Sequence, residues 1–183
     1  MIGLVEQVLT KIILDNSNEE TLHTIYEKAG IEKTRVFQTN QYYDEAEFRK
    51  FLTVTLEVLN LDVDKALTIF ADEFFKYTKS LYPTWYGMAS SAHDFLLLQV
   101  KIHDGFGHSL KDKSKAKTLM NKIKVEEIDE KYLKVRYQSE NQLCGLYIKL
   151  AERVGAYYGD IPTLTQSKCM HNGDKECEIH VKW

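Results

Sequence analysis

Three groups of residues in this 183-residue chain have types and spacing that could do chemistry. The first is the segment Phe95–His103, which closes an apolar helical pattern with an imidazole. Leu96, Val100 and His103 are spaced i, i+4, i+7, so the ring lies on an apolar helical face. Neutral imidazole is a strong ligand for haem iron. It is also at home in a core when a backbone carbonyl satisfies it, and spacing alone leaves both readings open. The second group is Tyr137-x-Ser139, whose hydroxyls alternate onto one side of a strand that passes into a long helix. Two donors at a helix start suit an anionic group such as a propionate. The plainer alternative is a strand end with Ser139 as N-cap.

The third group is Cys144, Cys169 and Cys177. A three-residue hairpin loop over Asn172-Gly173-Asp174 would set Cys169 directly opposite Cys177, with Cβ atoms roughly 5 Å apart. Cys144 belongs to the helix expected to pack on that sheet. Three converging thiolates suit zinc, although a closed structural site takes four ligands. Three buried thiols remain the alternative.

The elements that must position these residues follow from periodicity. Leu4, Val5, Val8, Leu9, Ile12 and Ile13 mark a first helix. Asn18 precedes a second, which Gly30 stops. Residues 32–43 read as loop. Asp44 caps a third helix to about Leu59, and Asp62 or Asp64 caps a fourth through Phe70, Phe74, Phe75 and Tyr77. Pro83 and Gly87 break the pattern before a fifth helix, about Ser90 to His103. After Gly105-Phe106-Gly107 the texture changes. Residues 111–118 read as charged loop, followed by strands at about Met120–Val125 and Leu133–Gln138. A long helix runs from about Glu140 to Tyr158. Strands at about Thr163–Met170 and Glu176–Trp183 close the chain. The expected fold is α+β: a helical lobe, about residues 1–108, and a sheet lobe, about 109–183. The second lobe holds a four-stranded antiparallel sheet and one long helix, and the whole is expected to form a single domain.

Composition narrows the function. The formal net charge is −3, which argues against nucleic acid as a partner. The run Lys111, Lys113, Lys115, Lys117 is interrupted by Asp112, lacks interleaved aromatics and reads as a solvated loop. No apolar stretch approaches the ~18–20 residues of a membrane span. The N-terminus lacks the basic region of a signal peptide. Three cysteines are an odd number, poor for a disulfide framework, so a cytoplasmic location is expected. No Ser/His/Asp set, phosphate-cradling glycine loop or paired-carboxylate motif stands out, and the chain is not expected to be an enzyme.

Taken together these residues resemble the H-NOX (haem nitric oxide/oxygen binding) family over essentially the whole chain. Met1-Ile2-Gly3-Leu4-Val5 is similar to its opening motif, which makes Val5 a candidate cofactor-contacting residue. Phe95–His103 is similar to the segment ending in the proximal histidine, and Tyr137-x-Ser139 to the first two members of its propionate-binding Tyr-x-Ser-x-Arg motif. The third member is Asn141 here, and asparagine cannot reproduce an arginine–carboxylate fork. Haem retention is therefore expected to be weaker, unless a nearby cation such as Arg136 substitutes. The position where oxygen binders of the family carry a distal tyrosine is Leu146, with Tyr147 beside it. Some relatives carry a zinc site whose histidine corresponds to Gln166 here. His171, on the strand face of Cys169, is the candidate replacement.

The resemblance implies haem b held by His103, with Tyr137, Ser139, Asn141, Leu146 and Val5 around it. It also implies a sensing role. Nitric oxide bound opposite His103 would weaken the iron–histidine bond and let the helix carrying His103 move. No kinase or cyclase sequence follows Trp183. The expected partner is accordingly a separate effector, such as a histidine kinase or a cyclic-dinucleotide enzyme. The competing expectation is a haem-independent zinc–thiol redox switch on the same fold, centred on Cys144, Cys169 and Cys177.

Overall fold

The computed structural model describes residues 1–110 and 112–183, which form two compact units, Met1–Phe74 and Phe75–Trp183. The boundary falls inside a helix. In the first unit, α1 (Gly3–Asn16), α2 (Glu19–Ala29) and α3 (Glu45–Leu59) precede α4 (Val63–Leu81), which runs on into the second. Their starts and stops are local chemistry. The Asn18 side chain accepts from Thr21 N at 2.9 Å, and Asp44 accepts from Ala46 N and Glu47 N. Asp62, rather than Asp64, accepts from Lys65 N at 2.9 Å at the head of α4. Gly30 ends α2 at φ 78°, a left-handed conformation that costs glycine little. Leu4, Val8, Ile13, Ile25, Phe48 and Phe51 are buried at the centre of this unit. Each such side chain contributes about 1.5–3 kcal/mol by leaving water.

The second unit continues with α5 (Pro83–Gly87), α6 (Ala92–Ser109), α7 (Lys113–Met120), β1 (Ile123–Asp129) and β2 (Tyr132–Tyr137). It closes with α8 (Cys144–Tyr158), β3 (Thr163–Lys168) and β4 (Cys177–Lys182). The strands form one antiparallel sheet in the order β1-β2-β4-β3. Its core joins Leu133, Val135, Ile179 and Val181 of the sheet to Phe95 and Leu96 of α6 and to Tyr147, Ala151 and Val154 of α8. The α+β class and the four-stranded sheet are as expected from the sequence.

Several boundaries differ from the periodicity reading, each for a physical reason. Pro83 and Gly87 bracket a single helical turn, with proline at its first position where no amide donor is needed. The helix carrying His103 does not end there; α6 continues through Gly105 and Gly107 to Ser109. Residues 113–120 are not loop. Asp112 caps α7 through Ser114 N and Lys115 N, Ala116 and Leu119 are buried, and Lys113, Lys115 and Lys117 stay exposed. Lys111 lies outside the described residues. Because α7 occupies the segment read as the start of a strand, β1 begins three residues later, at Ile123. The long helix begins at Cys144 rather than Glu140, since Gln142 takes a positive φ of 50° that no helix accommodates. The β3–β4 connection is not a three-residue loop. It includes a 3-10 turn, Met170–Asn172, and Gly173 at φ 92°.

Candidate functional site

His103 is half-buried on α6. The helix is anchored at its start, where Ser91 accepts from Asp94 N and the Asp160 carboxylate accepts from Ala92 N at 3.0 Å. It packs on α7, β1 and α8. Its tightest seam is Gly107, one turn beyond His103. A Cβ there would overlap the Met120 side chain and lie 3.2 Å from the Ala116 carbonyl oxygen. Glycine is thus the residue that lets α7 approach, and α6 and α7 are fastened together next to the imidazole.

The imidazole Nδ1 lies 3.0 Å from the Gln99 carbonyl oxygen one turn back. A carbonyl can only accept, so Nδ1 carries the proton and Nε2 carries the lone pair. Burial holds the ring below the usual histidine range, opposed by the Gln99 carbonyl and reinforced by the nearby Lys122 charge. Asp104 pulls the other way. The outcome is a neutral imidazole of defined tautomer, the form that ligates metal. The backbone-carbonyl partner of a core histidine and the lone pair of a ligand are therefore both present on one ring.

Tyr137 ends β2, and its ring joins the core. Its hydroxyl accepts from Leu143 N at 3.1 Å, and the Ser139 hydroxyl accepts from Asn141 N at 3.3 Å. Gln142 N donates to the Ser139 carbonyl at 3.0 Å. The amides of this turn are thus spent on orienting two hydroxyls. A hydroxyl held as an acceptor donates its own proton elsewhere. The helix itself begins only at Cys144, so the amides expected at a helix start form part of this turn instead. Ser139 and Asn141 are both buried, at 5% and 7% exposure.

Leu146 and Tyr147 are both buried on α8. Tyr147 belongs to the core against the sheet and α6, whereas Leu146 does not. The Tyr147 hydroxyl is buried without a hydrogen-bond partner, and burial pushes its pKa well above the tyrosine range. Val5, in the other unit, is half-buried on α1.

The three thiols do converge. The Sγ atoms of Cys144, Cys169 and Cys177 all lie within 4.8 Å of one another, with Cys144 and Cys169 at 3.9 Å. The β3–β4 register ends at Lys168 and Glu178, and Cys169 and Cys177 are the next residues on either side of that last pair, despite the longer loop. Burial pushes the Cys177 thiol up to about 12. His171 is not in the cluster. It is exposed, and its Nε2 lies 2.8 Å from the Gln142 carbonyl.

Arg136 is exposed and faces Glu126 at 4.0 Å. Lys122 was not singled out by sequence reasoning. Among the described residues it is the one buried Lys or Arg, at 7% exposure, in the bend between α7 and β1. Its only signal in the sequence is its place directly before the apolar start of β1.

These donors fit a b-type haem. The imidazole is neutral and presents Nε2, and two hydroxyls suit carboxylates. Three thiols, with no fourth His, Cys, Asp or Glu ligand beside them among the described residues, are a softer and less complete set.

The model of the haem-NO-binding family matches residues 2–166. The fold is similar to an H-NOX protein from S. oneidensis in the Fe(II)NO state, at 18% identity and TM-score 0.77, covering 100% of this chain and 98% of that one. It is also similar to an oxygen-binding H-NOX domain related to soluble guanylate cyclases, at 14% identity and TM-score 0.77, covering 100% and 94%. A Cs H-NOX mutant with 4-cyano-L-phenylalanine at site 5 matches at 13% identity and TM-score 0.78, covering 100% and 96%. No curated protein sequence matches the chain significantly.

Proposed function

Since the chain belongs to the haem-NO-binding family, we propose that it is a gas sensor holding one b-type haem through His103 and responding to nitric oxide. The observation that carries this reading is the neutral His103 ring, with Nδ1 committed to the Gln99 carbonyl and Nε2 left to ligate. When bound, the haem supplies the iron on which a diatomic gas is held. The chain supplies the rest. His103 anchors the iron, and Tyr137 and Ser139 donate to the propionates from the turn that Asn141 helps to form. Leu146 offers the bound gas no hydrogen-bond donor, while the Tyr147 hydroxyl is drawn into the core. That combination favours nitric oxide, which needs little such help, over dioxygen.

Residues 1–183 act as one sensing domain in this reading, and the chain is a sensor rather than a catalyst. Helices α6 and α7, fastened at Gly107, carry any change in how His103 is held. The recipient is a separate effector protein, such as a histidine kinase or a cyclic-dinucleotide enzyme. No helix among the described residues is long and apolar enough to cross a membrane. The three free thiols suit a reducing cytoplasm.

A second reading rests on the thiol cluster alone: zinc held by Cys144, Cys169 and Cys177, released when the thiols are oxidised. His171 could complete that set only by leaving the Gln142 carbonyl. An absorbance spectrum of the purified chain separates the two. The sensor reading expects a Soret band, a shift of that band on adding nitric oxide to the ferrous protein, and no stable oxy spectrum in air. A chain that takes up no haem would overturn it, and a long-lived oxy complex would overturn the choice of gas.

A further inference from the structure

His103 lies about 16 Å along α6 from the start of the helix, so whatever holds that start helps to decide where the imidazole rests. Two of the caps there are local. Ser91 Oγ accepts from Asp94 N at 3.1 Å, and the Ser91 carbonyl accepts from Phe95 N at 3.1 Å. The third comes from far away. Ala92 N, on a fully buried residue, donates to the two carboxylate oxygens of Asp160 at 3.2 and 3.0 Å, 68 residues further along the chain. A carboxylate at this end of a helix is also favoured by the backbone dipoles.

Asp160 is itself held from several sides. Gly159 ends α8 at φ 78°, and Asp160 N donates back to the Gly155 carbonyl at 3.0 Å. A Cβ at Gly155 would overlap the Pro162 ring and lie 2.9 Å from the Ile161 Cα, so the chain leaving Asp160 is folded tightly onto α8. The Asp160 carbonyl accepts from Trp183 Nε1 at 2.7 Å, and Trp183 N donates to the Lys131 carbonyl at 3.0 Å. The Trp183 ring in turn meets the ring of His93, in the first turn of α6, edge-on with centroids 5.3 Å apart. One residue therefore ties the start of α6 to the end of α8 and to the residue that follows β4.

We infer that Asp160 is a positioning residue for His103, the fixed point from which α6 is seated. The inference rests on the haem reading above and names what holds the iron ligand in place there. A helix tethered at its start does not slide along its axis; it swings, and the swing is widest toward Gly107, where α7 is carried with it. A stiffly seated imidazole does not follow the iron once nitric oxide weakens their bond, so the bond opens and the helix does not yield. A ligand shifts such an equilibrium only through its different affinity for the two states, and the tether enlarges that difference.

The test uses the full chain, with and without haem b. Asp160→Ala removes both acceptor oxygens, and Asp160→Asn restores one. Asp94→Ala is the control, because that carboxylate accepts from Ser90 N and Oγ within the same turn. In the haem-free chain, amide hydrogen exchange at Ala92 should speed up roughly tenfold or more in Asp160→Ala, the factor of a lost hydrogen bond to a charged group. In the ferrous nitric oxide complex, the absorbance spectrum reports the ratio of molecules that keep His103 on the iron to those that have lost it. That ratio should rise roughly two- to thirtyfold in Asp160→Ala, the range for residues that touch neither ligand. It should stay within about twofold of the parent chain in Asp160→Asn and Asp94→Ala. If Asp160→Ala does not fold, Asp160→Leu is read in the same way. Unchanged exchange at Ala92 overturns the inference. Faster exchange with an unchanged ratio overturns it too, and marks a purely structural cap, as does a ratio that moves equally in Asp94→Ala. A parent chain that binds no haem overturns the sensor reading and this inference together, whereas a haem-loaded chain indifferent to Asp160 overturns only the latter.

Discussion

The hydroxyl site and the thiol cluster grow from one stretch of backbone and differ in how they are completed. Tyr137 faces Cys177 in the β2–β4 register, and the turn that orients the Tyr137 and Ser139 hydroxyls delivers Cys144 to the first position of α8. The thiol cluster is finished by the loop joining β3 to β4, a local event. The hydroxyl site becomes a haem site only with His103, brought by α6 from more than thirty residues upstream. One site therefore depends on the shared turn and the β3–β4 loop, the other on that turn and on how α6 is seated. Metal or oxidation at the thiols is expected to reach the hydroxyls through the turn, whereas changes at His103 should leave the thiols alone.

Four experiments would break or sharpen this contrast. The largest effect is expected from His103→Gly, which should abolish the Soret band unless imidazole is supplied and leave zinc content untouched. A zinc content that falls with the haem would erase the asymmetry. Next is Cys177→Ser. Loss of a direct ligand should weaken zinc binding by more than the roughly 10–100-fold that loss of an outer-shell partner costs. Elemental analysis after chelator washing should give about one zinc in the parent chain and none in the variant. Zinc-free parent protein with three titratable thiols would reduce the cluster to packing. Asn141→Arg should slow haem loss by roughly a few-fold, because it adds a charged donor beside two neutral hydroxyls. Equal or faster loss would mean that the propionates lie away from this turn.

The smallest effect separates two glycines of α6. A Cβ at Gly105 meets nothing within 4 Å, so Gly105→Ala should stabilise by about 0.5–1 kcal/mol through helix propensity. At Gly107 the same substitution presses on Met120 and the Ala116 carbonyl, and overpacking of about 1–3 kcal/mol should outweigh that gain. Thermal melts of both variants check the signs. Destabilisation by both would mean that α6 tolerates no change on either face. Stabilisation by both would mean that α7 is not clamped where His103 needs it.

How much of this was legible beforehand varied with the range of the interaction. The caps at Asn18 and Asp44 and the stops at Gly30 and Gly159 are contacts within a few residues, and the residue types announce them. Alternation carried β2 and β4 to within a residue or so. The α7 helix was missed because its lysines mask a short pattern of two buried residues, Ala116 and Leu119, too sparse to register as amphipathic. Gly105 and Gly107 looked like a break, because a glycine that ends a helix and one that admits a neighbouring helix are the same letter. The Tyr137-x-Ser139 pair was visible by alternation and resemblance, but its orientation was not. It depends on Gln142 adopting a positive φ and on amides that a straight helix would have spent otherwise.

By itself the sequence settled most of the element types, α7 excepted, the α+β class and a short set of candidate groups: one imidazole on an apolar face, a hydroxyl pair and three thiols. These are properties of residues and their near neighbours, where a helix or strand repeat translates spacing directly into direction. The tertiary structure decided which of those groups meet. It brought Cys169 and Cys177 together beyond the last β3–β4 pair rather than over a tight loop, left His171 outside the cluster, and drew Tyr147 into the core around the sheet while Leu146 lies outside that cluster. It also enclosed Lys122, whose burial no local pattern could foretell. Burial and long-range charge are set by what the rest of the chain packs around a residue, and that information is spread over segments dozens of residues apart.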